Sequence, residues 1–71
     1  MSEDFSARPH LAAELSSLTT ALDELTTRVA AIAEPLVGTA DDLLASDLFE
    51  VERSLREAVR RLAHARATRR D

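Results

Sequence analysis

The chain has 71 residues, 45% of them apolar, a formal net charge of −4 and no cysteine. A chain this short holds one small domain at most, and commonly needs disulfides, a metal or association to be stable. The missing cysteine excludes disulfides, thiolate metal cages and a thiol nucleophile, which leaves association as the route.

Residues 1–8 read as a flexible acidic N-terminal segment. The start, Met1-Ser2-Glu3-Asp4-Phe5, lacks the basic stretch and apolar core of a secretory signal. The longest mid-chain apolar run, Val29 to Ala33, is far below the roughly 20 residues of a membrane span. A cytoplasmic chain with no membrane contact is the expectation.

A first helix is expected over about residues 9–35. Pro9 suits a first helical turn, where its missing N–H would have had no partner anyway. The apolar residues Leu11, Leu15, Leu18, Leu22, Leu25, Val29, Ile32 and Leu36 are spaced alternately by four and three. That is an unbroken heptad seam, with Leu11, Leu18, Leu25 and Ile32 at position d and Leu15, Leu22, Val29 and Leu36 at position a. Beside it, at position e, runs a row of small residues, Ala12, Thr19, Thr26 and Ala33. This row is either a second contact face that lets a neighbouring helix approach closely or part of a solvated Ser/Thr face. Threonine is a mediocre helix former, so a purely solvated helix face would more naturally carry Glu, Lys or Arg.

Pro35 and Gly38 are expected to end this helix, the first by pushing its predecessor out of the α region and the second by taking a left-handed conformation. The turn is placed at about 36–39. A second helix is expected over about 40–67, with Thr39 as its cap and Asp41 and Asp42 in its first turn. Ser46 and Asp47 offer an alternative start, which would break the helix there. The second seam, Leu44, Leu48, Val51, Leu55, Ala58, Leu62 and Ala65, repeats the four-three spacing. Residues 68–71 read as a frayed basic tail.

Two helices of about 25 residues joined by a short turn fold back as an antiparallel hairpin. Such a hairpin leaves much of each stripe in water. Ordering a residue costs about 1–2 kcal/mol of backbone entropy, and a fully buried leucine returns about 1.5–3 kcal/mol. Half-buried seams therefore roughly cancel. The expected fold is all-α: a two-helix hairpin that dimerises into a four-helix bundle, with Leu15, Leu18, Leu22, Leu25, Val29, Ile32, Leu48, Val51, Leu55 and Leu62 in the dimer core. The heptads resemble those of coiled coils and bundles in general, an architecture and not a family.

Charge is unevenly placed. Residues 1–52 carry a net of −9 and residues 53–71 a net of +5. Arg53, Arg56, Arg60, Arg61, Arg66, Arg69 and Arg70 are candidate contacts for phosphate or for an acidic partner. Nearby Glu50, Glu52 and Glu57 offset part of that charge, and no aromatic interleaves the run as a base-stacking platform would. Phe49 lies about 140° around the second helix from its seam, taking 100° per residue. It is either an exposed partner anchor or, if the helix breaks near Ser46, a core or turn residue. The candidate partner face is Ala12, Thr19, Thr26, Ala33 and Phe49.

His10 and His64 lack metal partners at useful spacing, the Ser and Thr residues have no acid–base constellation, and there is no glycine-rich loop. No enzyme activity, metal or cofactor is expected. The sequence points first to a non-enzymatic interaction module (adaptor, assembly factor or accessory subunit) that binds itself and a larger protein through helix packing. The alternative is a small dimeric nucleic-acid-binding regulator using the arginines.

Overall fold

The computed structural model describes residues 10–68. They form helix α1, Leu11–Ala33, a single 3₁₀ turn at Glu34–Leu36, and helix α2, Asp42–Thr68. There is no strand among the described residues, and the two helices pack on each other as a hairpin. Arg66 reaches Thr19 at one end of the pair, and Glu52 and Arg56 lie beside Thr26, Ala30 and Glu34 at the other. The helices are therefore antiparallel.

The helix limits differ from expectation for local reasons. Pro9 and residues 1–8 lie outside the described residues. His10 precedes α1, and its carbonyl accepts the Glu14 N–H at 2.9 Å. The chain does not leave the helical region before Pro35. Glu34 keeps α backbone angles, Pro35 sits in the first turn of the 3₁₀ segment, and the exit comes at Val37, whose ψ is 129°. A proline at the start of a short 3₁₀ turn loses only its own N–H, so the bias against a helical predecessor is outweighed. Gly38 takes the left-handed conformation, with φ of +79°.

Helix α2 starts two residues later than expected, behind a tight turn. Thr39 accepts the Asp41 N–H on its hydroxyl oxygen at 3.0 Å and donates that hydroxyl to the Leu36 carbonyl at 2.6 Å. The Asp42 carboxylate accepts the Gly38 N–H at 2.6 Å. These bonds close the turn ahead of the helix, whose own first donor, the Asp42 N–H, bonds the Thr39 carbonyl at 3.1 Å. From Asp42 the helix runs unbroken through Ser46, so the break is not observed, and continues to Thr68, within one residue of the expected end. Arg69, Arg70 and Asp71 lie outside the described residues.

The packing face is rotated from the seam. The residues of α1 most withdrawn from solvent are Thr26 and Ala33, at position e, with Leu15, Leu22 and Val29 of position a half-buried. On α2 the same holds: Ala45 at position e is buried, with Leu48, Leu55 and Leu62 at position a half-buried. Each helix thus meets its neighbour through a and e, roughly 50° around from the centre of its a/d stripe. The small side chains of Thr26, Ala33 and Ala45 allow this, because they let the backbones come close.

Candidate functional site

The rotation decides what the hairpin presents to its surroundings. Leu18, Leu25 and Ile32 are 45–56% exposed, and Leu44 and Val51 are 44–49% exposed. All five stand at position d, where Leu11 and Ala58 are half-buried. On each helix the d column is displaced from the packed face in the same rotational sense about the helix axis. Reversing one helix relative to the other brings both columns to the same side of the hairpin. One broad side is therefore apolar, with the half-buried a residues beneath it.

The interior left to the hairpin is thin. Thr26, Ala33 and Ala45 are the only buried residues among those described, and no large side chain is fully buried. Thr26 is tolerated there because its hydroxyl donates to the Leu22 carbonyl at 2.7 Å. Thr19 makes the same bond to Leu15 at 3.0 Å. A buried hydroxyl with a partner escapes the desolvation cost it would otherwise incur.

The candidate partner face takes a different place from the one its spacing suggested. Thr19, Thr26 and Ala33 lie against α2, and Ala12 lines a shallow hollow with Leu15, Ala63 and Arg66 at the open end of the hairpin. The small-residue row is a helix-contact face, but the helix it meets belongs to the same chain. Phe49 is half-buried on an unbroken helix. The rotated interface lies roughly 90° from it rather than about 140°, so no break is needed to withdraw it from water. The expected core residues divide in two: Leu15, Leu22, Val29, Leu48, Leu55 and Leu62 are half-buried within the hairpin, and Leu18, Leu25, Ile32 and Val51 face outward.

Most of the described arginines are already engaged. Arg56 pairs with Glu52 at 2.5 Å, Arg60 with Glu57 at 2.6 Å and Arg53 with Glu50 at 3.7 Å. Arg66 donates to the Thr19 hydroxyl at 3.3 Å. Arg61 alone of these five has no such partner among the described residues. Two of the seven candidates, Arg69 and Arg70, lie outside them.

Ala45, buried at position e of α2, was not singled out from the sequence; it heads a row with Glu52, Val59 and Arg66 that is the counterpart of the row on α1, and reading position e on both helices finds it. Leu43, 82% exposed, and Val37 stand out at the turn end, off both seams.

Among the described residues no group of three His, Asp or Glu side chains is placed to hold a metal ion, and no helix is long and apolar enough to cross a membrane. The surface hollows are open and shallow. No protein-family model, curated protein or solved structure matches the chain.

Proposed function

We propose that this chain is a non-enzymatic protein–protein interaction module, an adaptor, assembly factor or accessory subunit that acts by packing helices against helices. The observation that carries this reading is the pairing of a thin interior with a continuous outward apolar side. Among the described residues no large side chain is fully buried, yet Leu18, Leu25, Ile32, Leu44 and Val51 share one exposed face. Contiguous apolar surface of this kind marks an interaction site in a folded protein.

The simplest cover is a second hairpin, giving a four-helix bundle. The d residues then complete a core with the a residues below them, which is how a/d stripes are filled in bundles. A larger protein could present an equivalent helical face. Leu43 and Val37, outside the d columns, remain accessible to such a partner after self-association.

The alternative of nucleic-acid binding has less support. Three described arginines are paired with glutamates on their own helix, and the chain as a whole carries −4. The test is association measured from nanomolar to micromolar concentration, for the wild type and for Leu25→Glu. Association that Leu25→Glu abolishes is the expected result. A folded chain that associates with nothing through this face, yet binds DNA at low salt, would reverse the order of the two readings.

A further inference from the structure

The outward apolar side carries charges along its flanks in an order that a twofold-related second copy can match. On α1, position g beside the d column reads Glu14, Ala21, Arg28. On α2, the same position reads Asp47, Ser54, Arg61. Each flank has an acid, then a small residue, then an arginine, at intervals of seven. Each d column can likewise be reversed onto itself: Leu11 and Leu18 against Ile32 and Leu25, and Leu44 and Val51 against Ala65 and Ala58.

We infer that a second copy of this chain docks on the d face with its hairpin reversed end to end, so that the two turns lie at opposite ends of the bundle. This rests on the reading of that face as the docking surface. The twofold axis crosses α1 near Leu22 and α2 near Leu55, perpendicular to the helices. It brings Glu14 within one helical turn of Arg28 of the second copy, and Asp47 within one turn of Arg61 of the second copy. A twofold interface must be self-complementary, with residue i meeting j and j meeting i, and the acid-to-arginine order on each flank meets that condition.

Three further observations favour this arrangement. Arg28, Asp47 and Arg61 have no ion-pair partner among the described residues. The turn end of the hairpin holds Glu34, Asp41, Asp42 and Asp47, and the other end of α2 holds Arg60, Arg61 and Arg66. End-to-end reversal lays the acidic start of each α2 over the basic end of the other, whereas placing both turns together would gather the turn acids of both copies at one end. Reversal also sets Leu44 against Ala65 and Val51 against Ala58, a large residue over a small one, which keeps the spacing of the two α2 helices even.

The test is a distance. The chain has no cysteine, so Ala40→Cys in the exposed turn takes a single spin label. Dipolar spectroscopy on the assembled protein should then give a label-to-label distance of about 45 Å, the length of some 30 helical residues. A distance under about 25 Å would put the turns together and overturn the proposal while leaving self-association standing. Absence of any dipolar signal, with a monomeric mass, would remove both. A charge swap gives a second readout. Asp47→Arg should weaken association about three- to thirtyfold, from two symmetry-related exposed pairs, and adding Arg61→Glu should restore it. If the turns were adjacent, Asp47 would instead face Arg28 of the second copy, and the double variant would bind more weakly than the single one.

Discussion

Thr26 of α1 donates its hydroxyl to the Leu22 carbonyl one turn earlier, at 2.7 Å, and is 8% exposed. The bond turns a polar residue into one that packs like a small apolar residue, with its methyl group and closed hydroxyl toward α2. Thr26 lies at the same heptad position as Ala33, so α2 can approach along one continuous strip of small side chains. The hairpin closes on this strip, and the large d residues are consequently turned outward.

Enlarging Thr26 should therefore open the hairpin. Thr26→Leu is expected to cost about 1–3 kcal/mol by overpacking. Thr26→Ser, which removes only a methyl group, should cost about 0.8 kcal/mol. Urea unfolding followed by circular dichroism at fixed chain concentration measures both. A Thr26→Leu protein as stable as the wild type would mean that the helices do not meet at this residue.

Gly38 supplies the left-handed backbone at the turn, with φ of +79° and no heavy atom within 4 Å of an added Cβ. Space is not the constraint, so the cost of Gly38→Ala is purely conformational, about 1–2 kcal/mol. Gly38→Asn should cost less, because asparagine visits this region more readily. The check is the urea midpoint with an unchanged denaturant slope. A neutral Gly38→Ala would show that the turn takes another conformation in solution.

Much of this hairpin was legible in the sequence. Leucines at alternating intervals of four and three specify a helix with one apolar stripe, and the Pro35–Gly38 interval specifies a turn. The rotation of the packed face was not legible from leucines alone. It depends on Ala33, Ala45 and Thr26 being small enough to sit between two backbones, which is a property of both helices together. Phe49 illustrates the consequence: its angle from the stripe suggested exposure, whereas its angle from the true interface leaves it half-buried. Helix ends were set by short hydrogen bonds at Thr39 and Asp42, which heptad spacing does not encode.

The arginines of α2 should contribute little to stability singly. Changing Arg53, Arg56 or Arg60 to Gln removes an exposed pair on one helix, worth about 0.3–0.5 kcal/mol each. Thermal unfolding of the three variants should stay close to the wild type. Fluorescence anisotropy with duplex DNA at low salt should detect no binding of the steeply salt-dependent kind. Binding whose affinity falls with a slope of about −0.9 per phosphate contact, and which is lost in Arg61→Gln, would instead establish a phosphate surface.

The most direct test of self-association through the d face is sedimentation equilibrium, combined with helicity measured over the same dilution series. Twice the 7.8 kDa chain mass is expected at micromolar concentration, with helix content falling as the dimer dissociates. Leu25→Glu should shift that transition to much higher concentration. A fully helical particle of single-chain mass across the whole range would refute self-association through this face, because a hairpin with no fully buried large side chain among its described residues would then be stable alone.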